Sequence, residues 1–402
     1  MYPTTLLHSI RRLYTLDPFK EDLGVLENTS ILVRGDRVCW IGPDTEAPEA
    51  EKVVDARGLI GLPGLVDPHT HAVWAGSRAK EFARRLAGEK YADILEAGGG
   101  ILSTVAATRK ASLHALECGV VSRLEQMHRY GVTTVEVKSG YGLNPATEHR
   151  MLTAASSINT GPSTVRTFLG AHTIPAEHRG SRDDYVRQII EEQLPLCAPL
   201  CKFVDVYCDR GAFTLDESIA ILKAGKEHGL QIRAHAEQVT HTGIAEAAAN
   251  LGATAIDHLE QIDDAGIAAM AKAGSVAVLL PGAQLYLQDT PPPVEAMREA
   301  GIPFAVGTDL NPGSSPVHDI WTAATLACIT QGLTMEEALL GITRNAAKAL
   351  GLKRAGWIGL NSHADIALFA PPVGEPATFE SLIQHMGRPQ AVHVIQHGKI
   401  IH

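Results

Sequence analysis

Two histidines two residues apart, in Gly64-Leu-Val-Asp-Pro-His69-Thr-His71, are the first place where this chain could do chemistry. At the end of a β-strand the period of two sends both imidazoles to one side, where they can share one metal ion. In a chain with 18 histidines a His-x-His pair also arises by chance, so the pair alone leaves a bland reading open. A second candidate is His235, in Ile232-Arg-Ala-His235-Ala-Glu-Gln238, which ends an apolar run and alone fits a core or solvated histidine equally well. The third is Asp309, in Gly307-Thr-Asp309-Leu-Asn311-Pro-Gly-Ser314, where a hydrophobic run delivers a carboxylate into a turn-rich loop. Alone it fits a turn or a helix cap. Taken together, three histidines and one carboxylate with an open position suit a catalytic zinc or iron, and an aspartate beside the ion can take a proton from water.

The four residues lie far apart in sequence, so the fold must gather them. From Ile60 to Gly356, apolar runs of four to seven residues alternate with longer helix-period stretches, the pattern of repeated βα units around a parallel sheet. The strands expected are Leu65-Val-Asp, Thr133-Thr-Val-Glu-Val, Val165-Arg-Thr-Phe-Leu, Phe203-Val-Asp-Val-Tyr, Gln231-Ile-Arg-Ala-His, Ala255-Ile-Asp-His, Val276-Ala-Val-Leu-Leu and Phe304-Ala-Val-Gly. The polar candidates cluster where these runs stop, which in a TIM-like (β/α)8 barrel is the catalytic face. Short alternating runs at both ends of the chain, split by Gly35-Asp36 and Gly42-Pro43 near the start, read as hairpins. The expectation is an α/β chain: a barrel over residues 61–356 and a small β-sandwich-like domain composed of 1–60 and 357–402.

Composition narrows the function classes. Of 402 residues, 45% are hydrophobic and 20% charged, as in ordinary globular proteins, and the formal net charge of −10 disfavours nucleic acid as a partner. No stretch reaches the length of a membrane span and charged residues interrupt the first thirty, so a cytoplasmic protein acting on a small molecule is expected. Six scattered cysteines are then expected to be reduced. Cys197 and Cys201 have a metal-like spacing, but Pro195 and Pro199 suggest a loop and a structural role.

Longer motifs carry a resemblance. Pro68-His-Thr-His-Ala-Val-Trp-Ala-Gly-Ser-Arg78, Glu136-Val-Lys-Ser-Gly-Tyr141-Gly-Leu, Phe168-Leu-Gly-Ala-His172, His235-Ala-Glu-Gln238 and the Gly307–Ser314 loop resemble the amidohydrolase superfamily and, within it, the imidazolonepropionase family of histidine degradation. The resemblance runs over nearly the whole chain. It implies hydrolysis of 4-imidazolone-5-propanoate to N-formimidoyl-L-glutamate, with metal-activated water attacking the cyclic amide carbonyl. It also implies that His69, His71, His235 and Asp309 hold one Zn2+ or Fe3+, and that Arg78, Tyr141, His172, Gln238, Asn311, Gly313 and Ser314 contact substrate or product. Arg78, seven residues after His71, has the planar fork that suits a carboxylate. Asn311 with the backbone of Gly313 and Ser314 could offer a cradle of N–H donors. His258, in Ala255-Ile-Asp-His258, resembles a family histidine acting with Asp309 on charge and protons. Some relatives have glutamate at the position of Gln238; a glutamine cannot be a base, so here it reads as a ring-binding amide, with Glu237 pointing the other way. A homodimer is common in proteins of this type.

Two rival readings remain at this stage. One is a binuclear cyclic amidase of the dihydropyrimidinase type, in which Lys138 and His172 imitate a carboxylated lysine of the fourth strand and a further histidine ligand; Lys138 is otherwise structural. The other is a scaffold that has lost catalysis, which predicts a broken ligand set, whereas here no ligand is missing.

Overall fold

A computed structural model describes residues 3–20, 22–89, 99–158, 160–387 and 390–401. Its centre is a sheet of eight parallel strands in sequential order: β1 (Leu65–Asp67), β2 (Val132–Lys138), β3 (Ser163–Ala171), β4 (Phe203–Cys208), β5 (Gln231–Ala236), β6 (Ala255–His258), β7 (Val276–Leu279) and β8 (Phe304–Val306). Each expected apolar run is one of these strands. Burial of both faces explains why they read as continuous runs: every residue of β2, β6 and β7 is buried. Helices between them, such as Leu113–Arg129, Leu215–Glu227 and Asp264–Ala273, place one face on the sheet. Capping residues start them: Ser112 and Asp263 accept bonds from backbone N–H groups of the first turn, and Thr214 forms a full capping box with Glu217. Each Leu, Ile or Val fully buried in this way contributes about 1.5–3 kcal/mol.

Both chain ends build a second, mixed sheet of eight strands. Its long strand Thr4–Tyr14 pairs antiparallel with Val25–Arg34 and parallel with Lys52–Asp55 and Ile60–Pro63. Ile60–Pro63 pairs in turn with Ile366–Phe369, which ties the C-terminal hairpin to the N-terminal strands. Leu7, Ile10, Leu13, Ile31, Ile366 and Leu368 form its own core. The Gly35-Asp36 hairpin is present, with Arg34 opposite Arg37 and Gly35 at φ 59°. Gly42-Pro43 differs: it ends the strand Arg37–Pro43, which among the described residues is the last strand on one side of this sheet, a place where proline is tolerated. Cys197 and Cys201 also differ from expectation, because Pro195 and Pro199 sit in the first turns of short helical segments, where proline is tolerated. All six cysteines are free thiols, and burial pushes those two well up. None of the described helices is long and apolar enough to cross a membrane.

β8 and β1 do not pair as strands, so other contacts close the barrel. Asp67, fully buried at the end of β1, accepts bonds from the N–H groups of His69 and Thr308, both at 3.2 Å, and from Thr308 Oγ1 at 2.6 Å. Just above, Asp309 N–H donates to His69 O and His71 N–H to Leu310 O, both at 3.0 Å. Asp67→Ala strands three buried donors. It is expected to destabilise the metal-free protein by about 3 kcal/mol in urea unfolding, and Asp67→Asn, which keeps an acceptor, by less.

Candidate active site

The seam that closes the barrel delivers three of the four candidate ligands, and β5 delivers the fourth. His69 and His71 follow β1, His235 is the fifth residue of β5, and Asp309 follows β8. All four are buried, and their side chains meet: His69 Nε2 is 3.4 Å from His71 Nε2, His71 Nε2 is 3.3 Å from His235 Nε2, and Asp309 Oδ1 is 3.4 and 3.5 Å from the Nε2 atoms of His69 and His71. Atoms about 2.0–2.1 Å from one tetrahedral ion stand about 3.3 Å apart, so this spacing is that of a ligand shell. Asp309 Oδ1 is buried without a hydrogen-bond partner, as an oxygen awaiting a cation would be.

Protonation points the same way. His69 and His71 are driven well below the ordinary histidine range by burial, then by the cations and histidines around them, which keeps them in the neutral form a ligand needs. His69 Nδ1 lies 3.1 Å from Asp257 Oδ2, and His235 Nδ1 lies 3.0 Å from Asp205 Oδ2. The N–H directions are off the line to the oxygens, so these contacts act by charge more than as straight hydrogen bonds. They still favour the proton on Nδ1 and leave the Nε2 lone pairs converging, an arrangement that only a cation relieves. Burial raises the Asp309 carboxyl to about 7 when no ion is beside it. Asp309 and His258 both take left-handed backbone angles, φ 50° and 77°, and Leu259 follows at 77°; such strain gathers at functional sites.

The rim residues come from several loops. His258 is buried at the end of β6, its ring 5.4 Å from that of His235; burial lowers its pKa, but Glu260, Asp309 and Asp257 more than offset this and hold it above the ordinary value. The His172 ring stacks on His71 at 4.9 Å and 10°, its Nδ1 lies 2.9 Å from Gly140 O, and burial lowers it to about 3. It is therefore neutral, with Nε2 free to accept. Tyr141 lies beside this stacked pair, 5.8 Å from His71 and 5.4 Å from His172, and burial keeps its phenol protonated. Arg78 is clamped by Glu81, which accepts from Nε at 2.7 Å and from Nη2, and which also accepts Gly100 N–H at 2.9 Å. A Cβ on Gly313 would meet Arg78 Nη1 at 2.6 Å, so a larger residue there would push the guanidinium away from the turn of residues 311–314. Gln238 is half-buried in the bend after β5. The expected N–H cradle is not open: Asn311 Oδ1 itself accepts from Gly313 N and Ser314 N, both at 2.8 Å. Glu237 turns away, accepting from Gly243 N at 2.9 Å at the start of the helix Ile244–Asn250.

Several residues essential to this geometry were not singled out in the sequence. Asp205, Arg233 and Asp257 sit within β4, β5 and β6, and the one available signal was a charge inside an apolar run. Glu148, on the helix Pro145–Ser156, accepts Gly140, Gly142 and Leu143 N–H at 2.9, 2.7 and 2.8 Å and so shapes the loop that presents Tyr141. Lys138 corrects the binuclear reading. It stands on the second barrel strand and not the fourth, and its Nζ contacts Asp205 Oδ2 at 2.8 Å, Glu136 Oε1 at 2.9 Å and Asp257 Oδ2 at 3.5 Å. Burial alone would lower its pKa, but Asp205 and Glu136 outweigh it. Those oxygens hold an ammonium; a carboxylated lysine would add an anion among three carboxylates.

A closed parallel barrel with this histidine and aspartate set at its mouth defines a hydrolase of the amidohydrolase class, and residues 83–402 match the amidohydrolase family. Over 400 residues the chain is 41% identical to imidazolonepropionase of Colwellia psychrerythraea, spanning 96% of this chain and 94% of that one. Against imidazolonepropionase of Shouchella clausii it is 41% identical, spanning 94% and 87%. Within its class, the chain belongs to the imidazolonepropionase family. Solved structures share the fold at low identity. They include atrazine chlorohydrolase TrzN from Arthrobacter aurescens complexed with zinc, with TM-score 0.69, 17% identity and coverage of 99% of this chain and 95% of that one. An adenosine deaminase from Xanthomonas campestris with bound zinc gives TM-score 0.74 and 18% identity over 98% and 92%.

Glu148→Gln replaces an acceptor of three N–H groups with a side chain half donor, which should loosen the Tyr141 loop while leaving the four ligands in place. The expected result is a loss of about 10- to 100-fold in kcat/KM with unchanged metal content, measured on one preparation.

Proposed function

We propose that this protein hydrolyses 4-imidazolone-5-propanoate to N-formimidoyl-L-glutamate in the cytoplasm, with the barrel of residues 61–356 as the catalytic unit supported by the composite of 1–60 and 357–402. The observation that carries the reading is the convergence of His69, His71 and His235 Nε2 with Asp309 Oδ1, in a chain 41% identical to imidazolonepropionases over nearly its full length. These four residues would hold one Zn2+ or Fe3+. Such an ion, when bound, acidifies water and polarises a carbonyl.

The chain's own residues supply the rest. Arg78, held in place by Glu81, binds the propanoate carboxylate together with Asn311, Gly313 and Ser314. Asn311 must then release the two N–H groups that its Oδ1 now accepts. Tyr141 donates from its protonated phenol, His172 accepts at Nε2, and the Gln238 amide pairs with the ring edge. Asp309 and His258 share the proton transfers: a proton leaves the attacking water, and one reaches the departing ring nitrogen as the C–N bond breaks.

Purified protein is expected to turn over 4-imidazolone-5-propanoate with about one metal ion per chain. Asp309→Ala should abolish turnover and lower metal content, whereas Arg78→Ala should mainly raise KM at nearly full metal occupancy. An Asp309→Ala protein that retains the wild-type rate refutes this mechanism.

A further inference from the structure

Next to the candidate ligands the barrel interior holds a second group of buried oxygens, to which the proposed chemistry assigns no reaction step. Glu136 on β2, Asp205 on β4 and Asp257 on β6 come from alternate strands, whose inward residues share a layer in such barrels. All three are buried, and one oxygen of each converges on the Nζ of Lys138 at 2.9, 2.8 and 3.5 Å. Asp205, Asp257 and His235 also bring ligand atoms within 4.8 Å of one another, so the group has the composition of a metal site. Glu136 accepts from Lys138 Nζ, Thr167 Oγ1 and Thr70 N.

We propose that Lys138 is the permanent cation of this second group of oxygens and that its ammonium restricts the barrel to a single metal ion. Charge balance supports the assignment. Three carboxylates stand against the cations of Lys138 and Arg233, whose Nη2 is 2.7 Å from Asp257 Oδ1, which leaves one negative charge. Asp309 adds a second, and one divalent ion neutralises both. A second divalent ion would add two more positive charges beside the buried ammonium and guanidinium, a costly state in low dielectric. Without Lys138 the same oxygens, with entering water, offer the hard oxygen donors that a divalent cation takes. Asp205 and Asp257 also face the Nδ1 atoms of His235 and His69, so the ammonium lies one residue away from two of the proposed ligands.

The inference rests on the single-metal reading above, and the wild-type metal count separates the two. Wild type, Lys138→Ala and Lys138→Arg are dialysed against Mn2+, freed of excess ion and analysed for bound metal. The expected result is one ion per chain in wild type and in Lys138→Arg, which keeps the charge, and two in Lys138→Ala. Two ions in wild type would remove the single-metal reading itself. Folded Lys138→Ala holding one ion would overturn the role of Lys138. Where Lys138→Ala purifies unfolded, refolding with and without Mn2+ decides: recovery that needs the ion more than wild type does supports the proposal, and no such dependence overturns it.

Discussion

Where β1 and β8 fail to pair, the carboxylate of Asp67 does the work of a strand ladder, taking two N–H groups and a hydroxyl from both sides of the gap. Burial raises its carboxyl to about 7, against the pull of these three donors. Two backbone hydrogen bonds above it, from Asp309 to His69 O and from His71 to Leu310 O, join the same two segments. Closing the barrel and bringing His69, His71 and Asp309 together are therefore one event. Asp309 has its N–H committed to His69 and its carboxylate aimed at His69 and His71, and the left-handed φ of 50° is the cost of meeting both demands.

A barrel interior is ordinarily filled by layers of branched apolar side chains. Here the layer next to the ligands is ionic. Burying five charges gives little net stability, because desolvation offsets most of the Coulomb attraction. What the network provides is position. Asp205 and Asp257 orient His235 and His69, Lys138 and Arg233 keep those carboxylates ionised, and Glu136 takes Thr70 N–H between the two histidines of the first motif. Outer partners of this kind set ring orientation and tautomer as surely as the ligands define the site.

How much of this was legible in the sequence depended on distance along the chain. All eight strands were visible because strands buried on both faces leave continuous apolar runs, and the histidines and Asp309 stood out at the ends of those runs. Asp205 and Asp257 were hidden inside such runs, and their meaning lies in contacts 30 or more residues away: Asp205 with His235, Asp257 with His69. Glu148 looked like an ordinary helix residue, since nothing local shows that its carboxylate reaches back to Gly140 and Leu143. Gly42-Pro43 misled for the opposite reason. Its local turn signal is strong, but an edge strand tolerates a proline that an inner strand would not.

The residues after His235 show how sequence alternation becomes chemistry. Glu237 is fully buried at φ 58°, and its carboxylate is spent on the first N–H groups of the helix Ile244–Asn250. That anchor fixes the chain just before Gln238 and Val239, whose N–H in turn is held by Asp209 at 2.8 Å. Gln238 is thus placed from both sides. A glutamate at 238 would add one more negative charge beside Asp309 and the three carboxylates of the interior. The amide that stands there instead neither takes nor gives a proton at neutral pH, so Gln238 cannot serve as a base.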